Sequence, residues 1–209
     1  MSRLNKSANK KKLEFHKRVL LVCEGEKTEI YYFENLKKEC KLQAKTIEVQ
    51  VEHQYPDPMN IVKRAKELNE LAIEEDTGEY DYIYCVFDYE NKIKAGERNF
   101  NGASQRAKDL GFKLARSWPC FEYWYLLHYK KIDRQFRDAK DCKKELIKYM
   151  PKYEKNMIDL YTQLKNRLSD AKKRADGILR QVKINGENPS TEVHLLVDKL
   201  ETLYKASQK

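Results

Sequence analysis

Apolar residues run without interruption through RVLLVC at 18–23 and stop at Glu24-Gly25, the pattern of a strand covered on both faces in a parallel sheet. From Thr28 to about Lys41, Ile30, Phe33 and Leu36 recur at helical spacing with Tyr31 and Tyr32 beside them. Residues 46–52 alternate instead. Ile47, Val49 and Val51 oppose Glu48, Gln50 and Glu52, which predicts a strand with one wet face at a sheet edge. Asp57-Pro58 supplies an N-cap and a first-turn proline for a helix over 58–75, with Ile61, Val62, Ala65, Leu68 and Ala72 as its inner stripe and Thr77-Gly78 as its stop. DYIYCVFD at 81–88 is a second buried strand, and FKLARSW at 112–118 a third, after a helix near 103–110. Strands alternating with helices predict an α/β fold, a mostly parallel sheet flanked by helices.

Beyond Pro119 the pattern changes. CFEYWYLLHY at 120–129 is an aromatic helix with the proline in its first turn, and 130–183 shows helical periodicity and no strand. A last helix over 189–205 has Asn188 as cap and Pro189 in its first turn. No repeat or Gly/Ser/Pro-rich linker divides the chain. The expected organisation is a disordered basic arm at 1–17, an α/β lobe at 18–129 and a helical, basic lobe at 130–209 packed on it.

Charge sharpens this division. The chain has 42 Lys and Arg against 33 acids, a net +9, and residues 130–183 alone hold 17 against 8, so that stretch accounts for the whole excess. Such a field suits a polyanion, and Lys143, Lys144, Lys172, Lys173 and Arg174 are the candidate phosphate contacts, against the plainer reading of a solvated helix face. Five cysteines stand singly with no metal-ligand spacing, and Cys23 and Cys85 lie inside apolar runs as buried hydrophobes. Reduced thiols, no secretory signal and no apolar run near the ~18 residues of a membrane span predict a soluble cytoplasmic protein without a membrane partner. Trp118, Phe121, Tyr123, Trp124 and Tyr125 offer stacking surface but sit among leucines as core residues would, and His128 reads as structural.

In an open parallel sheet, ligands bind at the carboxyl ends of the strands. Two buried strands end there in acid: the first in Glu24-Gly25-Glu26-Lys27-Thr28-Glu29, the second in Asp88-Tyr89-Glu90. Carboxylates brought together repel unless protons are shared, water screens them or a hard divalent cation intervenes. Singly, each acid is also an ordinary turn or cap residue, and neither motif names a reaction.

Four blocks do narrow the field. VLLVCEGEKTEIYYFENLK (19–37), YCVFDYEN (84–91), SWPCFEYWYLLHY (117–129) and ENPSTEVHLLV (187–197) resemble, in order, the motifs of the RloB-like proteins of bacteria and archaea, which are associated with abortive-infection and restriction loci. The resemblance spans about 18–200. That family is similar to TOPRIM domains, in which a Glu closes the first strand, often before Gly, and an Asp-x-Asp closes a later one. The resemblance implies a TOPRIM-like catalytic lobe and a nuclease active in anti-phage defence, with Mg2+ or Mn2+ held by Glu24, Asp88 and Glu90. Glu90 stands where Asp is usual. Glu122 is a fourth carboxylate or a first-turn helix acid, Lys27 a phosphate contact or an exposed lysine, and Glu26 and Glu29 are outer ligands, a general base or, for Glu29, a helix acid. The implied partners are DNA or RNA and an AAA-type ATPase encoded alongside, with room for a homodimer. Two rivals remain: a catalytically weak or inactive nucleic-acid-binding adaptor working with that ATPase, and an enzyme acting on small phosphates, which lacks a glycine-rich phosphate loop here.

Overall fold

The structure, a computed structural model, describes residues 17–40, 47–51, 57–89, 97–185 and 188–207. β1 (Val19–Cys23) is buried at every position because it lies inside a five-stranded sheet of order β2-β1-β3-β4-β5. α1 (Thr28–Glu39) leads to β2 (Ile47–Val51), which pairs parallel with β1 and occupies the edge that its alternation predicts. α2 (Pro58–Glu74) then returns the chain to β3 (Tyr82–Asp88), on the other side of β1. α3 (Glu97–Asp109) precedes β4 (Lys113–Trp118), again parallel, while β5 (Ser190–Thr191) is antiparallel to β4 through Ser117 and Trp118.

The start of α2 follows local chemistry. The Asp57 carboxylate accepts the Met59 N–H at 2.9 Å and the Asn60 N–H at 3.4 Å, satisfying donors that a helix start leaves open, and Pro58 stands where no donor is needed. Two-residue periodicity sends alternate side chains of β1 to opposite faces. Leu20 and Val22 join Ile61, Val62, Ala65 and Ala103 under α2 and α3, whereas Val19, Leu21 and Cys23 join a larger cluster beneath α1.

That larger cluster runs into the second half of the chain. α4 (Glu122–Leu127), α5 (Ala139–Ile147), α6 (Leu160–Leu164), α7 (Leu168–Asn185) and α8 (Val193–Ser207) contribute Trp124, Cys142, Leu164, Ile178 and Leu196 to the apolar body that holds Tyr32, Phe33 and Leu36 of α1. Each such side chain contributes about 2 kcal/mol when withdrawn from water. The helical half thus shares one core with α1 on that face of the sheet.

Three predicted boundaries move. The helix expected near 103–110 begins at Glu97, in a polar stretch without apolar periodicity. Pro119 stays in the connection from β4, and the helix after it starts at Glu122, its first turn closed by the Tyr123 N–H on the Cys120 carbonyl and the Trp124 N–H on the Phe121 carbonyl. Asn188 caps nothing. Its side chain accepts the Phe136 N–H at 3.2 Å and donates to the Phe136 carbonyl at 2.7 Å, Pro189 precedes β5, and Thr191 Oγ1 accepts the Val193 N–H at 3.2 Å where α8 begins. At Asn188-Pro189 tertiary partners outbid the local helix signal. Among the described residues no helix is long and apolar enough to cross a membrane.

Candidate active site

β1 and β3 run side by side and end together, so their terminal acids meet. The Glu24 N–H donates to the Val86 carbonyl at 2.9 Å, carrying the strand pairing one residue past β1. The Glu24 carboxylate in turn accepts the Asp88 N–H at 3.1 Å, which fixes its direction across the two strand ends.

Gly25 has a reason to be glycine. A Cβ built there would overlap the Glu29 carboxylate, which folds back from the first turn of α1 against the Gly25 backbone. Glu29 is only 5 % exposed, and Glu122, at the start of α4, only 2 %. Burial, then the negative charge of Glu122, pushes the Glu29 carboxyl up to about 7, against the opposing pull of its own backbone N–H, Lys155 and Lys143. Asp88 is raised well above the usual carboxylate range, first by burial and then by Glu29, Glu122 and Glu24, while a hydrogen bond from the Phe121 backbone works the other way. Asp88 thus senses the charges of Glu24, Glu29 and Glu122, and Glu29 senses that of Glu122.

Cations approach from the helical side. Lys143 of α5 lies 3.4 Å from Glu122 Oε1, and the Tyr153 hydroxyl donates to the same oxygen at 3.0 Å. The Tyr125 hydroxyl donates to the Thr28 carbonyl at 3.0 Å, tying α4 to the start of α1.

The other predicted site residues scatter. Lys27 and Glu26 are exposed where the chain enters α1, and Glu90 lies outside the described residues. Lys144 and Lys173 are exposed. Lys172 pairs with Asp198 at 2.6 Å and with Glu201, and Arg174 donates to the Leu127 carbonyl at 2.7 Å, so these two cations hold helices together. Phe121, Tyr123, Trp124 and Tyr125 are fully buried, and His128, whose Nδ1 lies 2.9 Å from the Trp124 carbonyl, is pushed down to about 4 by burial. All five cysteines are buried; burial raises Cys23 well above the usual thiol range and Cys85 to about 12, which suits packing and not nucleophilic attack.

An all-oxygen donor set is what hard divalent ions take, so the chemistry of the cluster fits Mg2+ or Mn2+. Among the described residues no group of three acidic, histidine or cysteine side chains is close enough to hold an ion together.

A family profile described as RloB-like protein matches residues 19–200, from β1 into α8. The chain belongs to the RloB-like family. In this RloB-like chain the match covers every carboxylate of the cluster, including the α4 acid that the sheet alone would not supply. No curated protein and no solved structure matches the chain.

The member of the cluster that sequence reasoning left out of its principal set is Glu29. Its signal was present, a glycine directly after the strand-closing acid and an acid four residues beyond that glycine, but only burial separates it from a solvated first-turn residue.

Proposed function

We propose that this RloB-like protein is a nuclease that hydrolyses phosphodiester bonds of DNA or RNA with Mg2+ or Mn2+, using a TOPRIM-type site. One observation carries the reading: Glu24, Glu29, Asp88 and Glu122 share one site, in which Glu29 and Asp88 hold their protons more tightly than exposed carboxyls do. Such mutual repulsion is relieved by a cation. When bound, a divalent ion neutralises the phosphodiester and acidifies the attacking water.

The protein's own groups do the rest. Glu24 is oriented by the Asp88 N–H, and Asp88, Glu122 and Glu90 complete the oxygen donors of this reading. Glu29, whose carboxyl holds its proton up to about 7 without a cation, would ionise as the cation relieves that repulsion and then serve as general base. Lys27, at the opening of α1, and the exposed Lys144 and Lys173 are left for backbone phosphates. The family's association with abortive-infection and restriction loci makes phage defence the proposed setting, with an AAA-type ATPase as partner.

The test is cleavage of plasmid, single-stranded DNA and total tRNA in Mg2+, Mn2+ or EDTA, with Glu24→Gln and Asp88→Asn beside the native protein. Cutting should require metal and fall by about a hundredfold or more in either variant. Metal uptake without cutting of any polymer would favour the adaptor reading, and a native protein that takes up no divalent ion would sink the proposal.

A further inference from the structure

Of the aromatics that the sequence offers for stacking, Phe121, Tyr123, Trp124 and Tyr125 are buried, and Trp118 alone keeps part of its surface open. It closes β4, and its ring lies on that of Tyr89 with centroids 3.9 Å apart and planes 18° from parallel. Tyr89 directly follows Asp88. Its N–H donates to the Ser117 carbonyl at 2.7 Å, carrying the pairing of β3 and β4 one residue past the acid. Alternation sends the Asp88 side chain towards Glu122 and that of Tyr89 to the opposite face, with the core under α2 and α3. Glu24 and Asp88 thus stand at the ends of β1 and β3, and the aromatic pair at the ends of β3 and β4, where open α/β sheets bind ligands.

The pair lines a cavity of about 190 Å3 that Arg116, Glu192 and, from α7, Leu179 and Val182 help to enclose. Arg116 gives Glu192 two hydrogen bonds, 2.8 Å from Nε and 2.6 Å from Nη2, and the rest of the lining is uncharged. A cavity that is neutral overall has no field for a phosphate. Stacked rings and aliphatic walls favour a flat, weakly polar ring, and the volume is below the roughly 300 Å3 at which pockets for drug-sized ligands begin. Neighbouring strands lie about 4.8 Å apart, and neighbouring nucleotides of a stacked chain about 3.4 Å. A chain whose phosphate meets Asp88 can therefore set an adjacent base in this cavity. Resting on the nuclease reading above, we propose that the Tyr89–Trp118 pair is a nucleobase subsite, holding an unpaired base of the strand next to the bond that is cut.

Stacking has a readout that a purely structural ring pair lacks. The chain has two tryptophans and Trp124 is fully buried, so Trp118 is the one that a base can reach. An oligothymidylate or oligouridylate, added in EDTA or in Ca2+, should quench the tryptophan emission, and an abasic oligomer of equal length should not. Trp118→Phe, which keeps the ring stack, should bind the labelled oligomer nearly as the native protein does by fluorescence anisotropy, yet show no quenching. Trp118→Ala should bind the base-bearing oligomer about tenfold more weakly and the abasic one unchanged, with the salt dependence of the native protein, because no phosphate contact is lost. Equal losses on both oligomers, or quenching that survives Trp118→Phe, would overturn the subsite while metal-dependent cutting still stood. Quenching by thymidine monophosphate at the concentrations that saturate the oligomer would assign the cavity to a free nucleotide and overturn the strand reading. A native protein that binds no oligomer overturns the subsite and the nuclease reading together.

Discussion

At Glu29 burial and the charge of Glu122 disfavour the ionised carboxylate and outweigh its backbone hydrogen bond and the lysines Lys155 and Lys143. The folded carboxyl holds its proton up to about 7, against an ordinary value of 4.5, so its contribution to stability is complete below 4.5 and is lost as pH rises through 7. The loss amounts to roughly 3 kcal/mol once the group is fully ionised. In EDTA the native protein should therefore lose denaturant midpoint between about pH 5 and 8. Glu29→Gln should flatten that slope, and Mg2+ should raise the midpoint more at pH 8 than at pH 5; equal slopes in the native and variant proteins would disprove this account. The sequence showed the acid and the glycine beside it. It could not show that α1 carries this carboxylate back against Gly25, because that depends on how the helix sits on the sheet.

Elements were legible where their signals were local. Asp57-Pro58 begins α2 because cap and proline act within one turn, and Asp57→Ala should cost about 1 kcal/mol in urea unfolding without altering Mn2+ affinity, since the cap lies outside the acidic cluster. The unbroken runs of β1 and β3 were legible because side-chain period reports directly on which faces are covered, and β2 was legible as a strand. The same reasoning failed at Pro119 and at Asn188-Pro189. Asn188 spends its hydrogen bonds on Phe136, and Ser190-Thr191 pairs with Ser117 and Trp118, partners far away in the chain. A two-residue strand has no periodicity to read.

Over the whole molecule, the helical half completes the core that the sheet begins. Truncation after residue 129 would uncover Tyr32, Phe33, Leu36 and Trp124, which rest in one cluster with Cys142, Leu164, Ile178 and Leu196. Such a fragment should bind a hydrophobic dye and unfold without a sharp transition; a cooperative, dye-free 1–129 fragment would contradict the shared core. Charge behaves differently at this scale from what its sum suggests. The excess of basic residues in 130–183 was plain, yet Lys143, Lys172 and Arg174 are turned inward onto Glu122, onto Asp198 and Glu201, and onto the Leu127 carbonyl.

By itself the sequence determined the α/β alternation, the buried strands, the acids that close them and, through four ordered motifs, the family, because hydrophobic period, caps and motif order are local properties of the chain. Only the tertiary structure decided which acids share a site and which cations face them. Glu24, Glu29, Asp88, Glu122 and Lys143 come from separate stretches of chain, and their electrostatics depend on how the strand ends, α1, α4 and α5 pack together.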